Sequence, residues 1–195
     1  DNRGEVTQAG MLLRNDAHKL IEECMIAANV EAARFLLKAG IPAPYRIHDK
    51  PPESKYADLL EFLKEFKLSL PAWGKVVPGD FTRLLKKVRD RPDAALLESV
   101  LLRSQSLAVY SPDNVGHFGL ALESYAHFTS PIRRYPDLIL HRAIKYQTAK
   151  EQQANLRHKW TPSGGYHYQL EEVDPMGEHC SMTERRADDA TRDVA

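Results

Sequence analysis

Between Thr129 and Leu138 the chain reads TSPIRRYPDL, and this stretch limits the fold more than any other. Ser130 followed by Pro131 predicts a helix start, because serine accepts from orphan amides and proline leaves none unpaired. Arg133 and Arg134 then fall in the first turn. The exposed amides there already carry partial positive charge, and an acid would be favoured by about 0.3–1 kcal/mol. Two cations at that position leave two readings open. Either an anion belongs there, a phosphate gripped by amides and a guanidinium fork, or the arginines form a solvated pair held by Asp137.

The flanks predict how this stretch is held. SLAVY and HFGLAL surround a PDNVG turn between Ser106 and Tyr125, which reads as a β-hairpin feeding the arginine stretch. His117 and His127 border it and read as structural. Past Pro136 the helix continues through Leu138, Ile139, Ile144 and Tyr146. Pro136 would lie beyond the first turn, so a kink or tighter turn is expected between SPIRR and the helix body.

Upstream, residues 1–14 read as the tail of a strand or hairpin. A long helix is then predicted from an Asn15 or Asp16 cap to Ala39, stopped by Gly40, Pro42 and Pro44. Leu20, Cys24, Ala28, Ala32, Phe35 and Ala39 form its apolar stripe. Its middle, CMIAAN, is apolar nearly all round, so burial on more than one side is expected. Glu22 and Asn29 share the second face. Glu22 is either a wet, dipole-favouring residue near the helix start or a site residue.

Further helices are predicted after Pro52, with Ser54 as cap and Leu59, Phe62, Leu63 and Phe66 inward; after an Asp80 cap; and from Pro92 through Leu96, Leu97, Val100 and Leu101. Lys86, Lys87 and Arg89 fit a solvated face or a polyanion contact. Glu151 to Gly165 reads as a surface loop. The last helix starts at Asp174 and Pro175, or earlier with a kink there, with the stripe Cys180, Glu184, Ala187, Thr191 and Val194. A glutamate on that stripe is costly unless paired. Glu184 therefore either salt-bridges a structural arginine or belongs to a site.

Composition narrows the class. The chain has 195 residues, a formal net charge of +0 and 43% hydrophobic residues, enough for one globular domain without a general basic field. Any nucleic-acid contact must therefore be local. Cys24 and Cys180 stand far apart on predicted helices and read as reduced core thiols of a cytoplasmic protein. The eight histidines show no metal-ligand spacing, so a metal site built from this chain alone is not expected. The opening DNRGEV and the helical rhythm of the closing DDATRDVA are expected of a piece of a longer protein.

RNDAHKLIEECMIAAN, then HFGLALESYAHFTSPIRRYPDLILHRAIKY, then HCSMTERRADDATRDVA together resemble the RNB catalytic domain of the ribonuclease II and ribonuclease R family. The resemblance covers nearly the whole chain and implies an α+β, predominantly helical fold: the C-terminal half of such a domain, with a small β-hairpin feeding the central helix. It implies a processive, magnesium-dependent 3′-to-5′ exoribonuclease that hydrolyses single-stranded RNA to nucleoside 5′-monophosphates. In the family the metal sits on aspartates of the earlier half-domain. This chain lacks them, so no bound metal and no turnover are expected from it alone. The expected partners are single-stranded RNA and the upstream half of the same domain, with no membrane.

The resemblance also assigns residues. Arg133 matches the family arginine that contacts the phosphate near the scissile bond, and Glu22 and Glu184 match residues lining the terminal-nucleotide pocket. Thr129, Ser130 and Arg134, in the same turn as Arg133, are expected substrate contacts. All of these should meet in one cavity. The rivals are a non-catalytic helical protein-interaction module and a phosphate-binding regulatory domain without hydrolysis. Salt dependence of RNA affinity separates the first from a phosphate site, and cleavage separates the second.

Overall fold

The computed structural model describes residues 14–155 and 164–194. Its described residues form helices α1 (Asp16–Ala39), α2 (Glu53–Glu65), α3 (Pro78–Val88), α4 (Ala94–Ser104), α5 (Tyr135–Asn155) and α6 (Leu170–Val194). Strands β1 (Tyr45–Ile47) and β2 (Val109–Ser111) pair antiparallel. The predominantly helical α+β class is as expected. The expected strand at 1–14 lies, but for Arg14, outside the described residues.

Two apolar cores organise the chain. In the first, Ala32, Ala33 and Leu36 of α1 pack with Ile139, Leu140 and Ala143 of α5, Tyr45 of β1 and Val173 of α6. Each fully buried aliphatic there contributes roughly 1.5–3 kcal/mol. In the second, Tyr56, Leu59 and Leu63 of α2 pack with Leu84 and Val88 of α3 and Leu97 and Leu101 of α4. Phe118 packs on this second core, edge-on to Phe81 at 5.9 Å, and it also stacks on His48 at 6.4 Å. His48 follows β1 directly, so the aromatic contact ties the two cores together.

α1 begins and ends as its sequence dictates. Asn15 Oδ1 accepts from His18 N–H at 3.0 Å, and His18 Nδ1 accepts from Asn15 N–H at 3.3 Å. Gly40 ends the helix at φ 65°, donating to the carbonyls of Leu36 and Leu37, a left-handed conformation that glycine adopts freely. The stripe departs from expectation. Leu20 is 65% and Ile21 58% exposed, and Cys24 is exposed. Only the part from Asn29 onward meets α5 and the strand pair, so CMIAAN is not enclosed on several sides among the described residues.

Other starts also differ from the reading. α2 begins at Glu53 behind Pro52 with no side-chain cap, so Ser54 caps nothing. In α3 Asp80 is not the cap but the third residue of the first turn, with Oδ2 accepting from Val77 N–H at 2.8 Å. α4 starts at Ala94, past Pro92. α5 continues to Asn155, so Glu151 belongs to a helix and not to a loop. The rest of that expected loop, 156–163, lies outside the described residues.

β2 finds its partner far upstream. The register is Tyr45 to Ser111, Arg46 to Tyr110 and Ile47 to Val109, so no hairpin joins SLAVY to HFGLAL. Residues Phe118–Leu120 form a 3-10 turn instead. Sequence periodicity identified the strand but not its mate, since pairing is decided by packing across the fold.

α6 begins at Leu170 and carries Pro175 inside it, the earlier of the two starts left open. It lies close against β2 because Gly177 has no side chain: a Cβ there would meet the Tyr110 carbonyl oxygen at 2.9 Å. Ser181, one turn on, accepts from Tyr110 N–H at 2.9 Å and donates to the Gly177 carbonyl at 2.8 Å. Cys180 and Glu184 are half-buried, whereas Ala187 and Thr191 are exposed, so the expected stripe covers only the first part of the helix.

Candidate nucleic-acid site

The TSPIRR segment is a turn, not the first turn of the long helix. The Ser130 carbonyl accepts from Arg133 N–H at 3.2 Å and Arg134 N–H at 3.0 Å, and α5 starts at Tyr135. Pro136 thereby falls within the first turn, where a missing N–H costs nothing, so the expected kink has no cause. Ser130 does not cap the helix body with its hydroxyl. Instead its own N–H is taken up by Asp137 Oδ1 at 2.7 Å.

Asp137 is the keystone. It is 0% exposed, and the oxygen that holds Ser130 also accepts from Arg134 Nη2 at 2.8 Å. The arginine pair is thus split. Arg134 is half-buried and held inward, while Arg133 is exposed and has no side-chain hydrogen bond or ion pair among the described residues. Ile132 beside it is fully exposed. A loop pinned at both ends, with a free guanidinium at its tip, can grip a phosphate without first breaking an ion pair. Thr129 Oγ1, Arg134 Nε and Asp137 Oδ2 are buried without hydrogen-bond partners, three unmet polar atoms in one small region, against the usual pairing of such groups.

A second constellation stands behind this loop. Arg46 donates to Glu184 in a fork, Nη1 to Oε2 at 2.7 Å and Nη2 to Oε1 at 3.1 Å. Its guanidinium also lies 4.6 Å from the centre of the Tyr110 ring, directly across the strand pair. The Tyr110 hydroxyl meets His127 Nδ1 at 2.8 Å. Burial pushes the Tyr110 hydroxyl up to about 12 and pushes His127 down to about 3, with the charges of Arg134, Arg46 and Arg133 lowering it further. Those charges place both arginines of the loop within electrostatic reach of the histidine. Asn29 of α1 braces the approach, donating to the Tyr125 hydroxyl and accepting from Phe128 N–H, both at 2.9 Å.

The structure therefore does not bring the three expected site residues into contact. Arg133 has no carboxylate partner. Glu22 lies near the start of α1 and pairs with Arg14, whose hydrogen bond holds the Glu22 carboxyl below its usual range. Glu184 is taken by Arg46, with Arg185 at 3.5 Å as a second contact. Glu184 is still near the loop, because Arg46 touches both Glu184 and Tyr110, and Tyr110 touches His127. Sequence reasoning did not single out Arg46 or Tyr110, and it read His127 as structural. The available signal was a strand residue, Arg46, flanked by buried Tyr45 and half-buried Ile47, a charge that needs a partner where it emerges.

Among the described residues no group of three or more His, Cys, Asp or Glu could hold a metal ion. The site carboxylates face guanidinium groups, and such a donor set does not fit magnesium.

This fold and this site define a class. The chain belongs to the RNB domain family, whose model matches residues 1–150. Its curated relatives are ribonuclease R proteins: it is 61% identical to ribonuclease R of Escherichia coli over 93% of this chain and 22% of that protein, and 55% identical to that of Vibrio cholerae over 94% and 22%. The chain thus spans less than a quarter of either relative. Among solved structures it is similar to Mycoplasma genitalium RNase R in complex with ribose-methylated single-stranded RNA, at TM-score 0.80 and 29% identity over 93% of this chain and 28% of that one. The complex of that protein with double-stranded RNA matches at TM-score 0.80 and 28% identity, over 93% and 31%. Yeast Ssd1, a pseudonuclease, shares the fold at TM-score 0.62 and 23% identity, covering 84% of this chain and 19% of that one. Fold alone therefore does not decide activity.

Proposed function

We propose that this chain is the C-terminal part of the catalytic domain of a processive 3′-to-5′ exoribonuclease that hydrolyses single-stranded RNA to nucleoside 5′-monophosphates. The observation that carries the reading is the loop from Ser130 to Asp137, pinned by a fully buried carboxylate, with the unpaired guanidinium of Arg133 at its tip. The high identity to ribonuclease R proteins and the RNA named in the complexes of a similar structure support it. The metal requirement belongs to aspartates of the upstream half-domain, the expected partner of this chain.

Within this chain the roles fall to the pinned loop and to two carboxylates. Arg133 approaches a backbone phosphate and offsets charge that grows on its oxygens as the bond breaks, an effect that strengthens where water is excluded. Thr129, Ser130 and Arg134 shape the loop around that phosphate. Glu184, held by Arg46, and Glu22, held by Arg14, line the path of the terminal nucleotide. There their free lone pairs accept from ribose hydroxyls, the groups that distinguish RNA from DNA.

The test uses the full-length protein carrying this segment, magnesium and a 5′-labelled single-stranded RNA. Arg133→Ala is expected to lower kcat by about 100-fold or more and RNA affinity by less than about tenfold, because the charge matters most in the transition state. Loss of affinity with unchanged kcat would overturn the role. Shortening that starts from the 5′ end would overturn the direction.

A further inference from the structure

His127 is the residue of this region whose hydrogen-bonding capacity the roles above leave unused. Its ring is clamped between two tyrosines, edge-on to Tyr110 at 5.6 Å and to Tyr125 at 5.8 Å. Its Nδ1 meets the Tyr110 hydroxyl at 2.8 Å. With that hydroxyl protonated and no other acceptor for it among the described residues, we assign it as the donor and Nδ1 as the acceptor. A neutral imidazole with Nδ1 accepting carries its hydrogen on Nε2. Nε2 has no protein partner among the described residues, and it is not among the sealed unpartnered atoms, which are Thr129 Oγ1, Arg134 Nε and Asp137 Oδ2. It is thus an oriented donor that is not fully sealed from solvent.

We infer that His127, through Nε2–H, donates a hydrogen bond to a non-bridging phosphodiester oxygen of the RNA strand that Arg133 contacts. The chemistry of the surroundings selects the acceptor. Arg133, Arg134 and Arg46 all act on the ring electrostatically, and among the described residues no carboxylate accepts from it, so Nε2–H lies in a field that suits an anion. Burial first, and then the three guanidinium groups, keep the ring uncharged. A neutral donor adds a directional bond without a further cation that would hold the product back. The inference rests on the phosphate role of Arg133.

The test compares His127→Phe, which keeps an aromatic ring but no N–H, with His127→Gln, whose amide N–H falls near the position of Nε2. Both are made in the full-length protein and assayed with magnesium on a single-stranded oligoadenylate, beside Arg133→Ala. The phenylalanine variant is expected to lose about 10- to 100-fold in kcat/KM, the effect of one hydrogen bond to a charged acceptor. The glutamine variant should recover to within roughly threefold of the parent, by restoring that donor. Equal impairment of the two variants, or less than a twofold loss in His127→Phe, would overturn the inference. Should the phenylalanine variant fail to fold, Tyr110→Phe carries the test. It frees the imidazole to divide between tautomers, with an expected loss of roughly threefold, and unchanged activity would overturn the assignment. If Arg133→Ala is fully active, the phosphate reading falls by itself. A glutamine rescue that persisted there would assign the donor to another acceptor and overturn this one too.

Discussion

Arg46 and Glu184 are 138 positions apart in the chain and meet in a two-pronged hydrogen bond at 2.7 and 3.1 Å. The pairing joins a three-residue strand to the last helix, and it fixes the one carboxylate that the sequence reading placed on a helix stripe without a partner.

That fork predicts unequal outcomes for two charge-preserving and charge-removing changes. Arg46→Lys keeps the cation but cannot reproduce a planar fork or the stacking over Tyr110. It is expected to lower kcat about tenfold in the full-length protein while leaving RNA affinity within about threefold. Glu184→Ala removes a negative charge beside the proposed RNA path, and affinity should rise or stay level while kcat falls less than in Arg133→Ala. Steady-state kinetics and filter binding on one RNA check both. A larger affinity loss in Glu184→Ala than in Arg133→Ala would contradict the placement.

Close approach of α6 to β2 carries its own prediction. Gly177→Ala places a methyl 2.9 Å from the Tyr110 carbonyl oxygen, backbone that cannot swing aside. The helix must shift, and overpacking of this kind costs about 1–3 kcal/mol. Ser181 and Glu184 move with it. The expected result is a lowered unfolding temperature together with a kcat loss resembling that of Arg46→Lys. An alanine variant with unaltered melting and turnover would show that α6 tolerates displacement.

These two relationships explain what the sequence could and could not disclose. Local chemistry made α1 legible at both ends, since Asn15, Gly40 and the prolines after it act on their immediate neighbours. It likewise made TSPIRR legible as a place where cations sit without local compensation. The mate of β2 was not legible, because Arg46 opposite Tyr110 is a choice made by packing across the chain. Nor could periodicity show that Asp137 would be buried and would take Arg134 but leave Arg133 free. Both arginines are equally cationic in the sequence, and the turn that separates them is set by two backbone hydrogen bonds to the Ser130 carbonyl and by the bond from Ser130 N–H to Asp137. Leu20 and Cys24 show the opposite error: both lie on the expected stripe and both are exposed, because periodicity reports which face is apolar, not how far along a helix its neighbours reach.

Asp137 gives a prediction about order instead of chemistry. Asp137→Asn can still accept from Ser130 N–H through its amide oxygen, but it loses the charge opposite Arg134. Breaking a buried pair from one side costs about 3 kcal/mol or more, and the loop should loosen. Amide hydrogen exchange across residues 129–138 is expected to speed up at least tenfold, with kcat falling by a similar factor. Protection unchanged in that segment would refute the pinned-loop account.

Two half-buried histidines make stability depend on pH in a definite direction. His127 is pushed down to about 3 and His117 to about 4, in both cases mainly by burial and then by neighbouring cationic groups. The unfolded chain, with ordinary histidines near 6.5, binds more protons than the folded one at any pH between those limits. Stability from these residues is therefore complete above roughly pH 6.5 and declines as pH falls toward 4. Thermal unfolding of the full-length protein should show a melting temperature that drops from pH 7.5 to pH 5. His117→Phe, an aromatic that cannot take up a proton, is expected to flatten part of that drop. The carboxylate contribution can be separated, because Glu22, held below its usual range by Arg14, loses its share only as pH falls through the carboxylate range. A melting temperature independent of pH between 7.5 and 5 would mean that neither imidazole is kept neutral by the fold, and with it the donor assigned to His127 would lose its fixed tautomer.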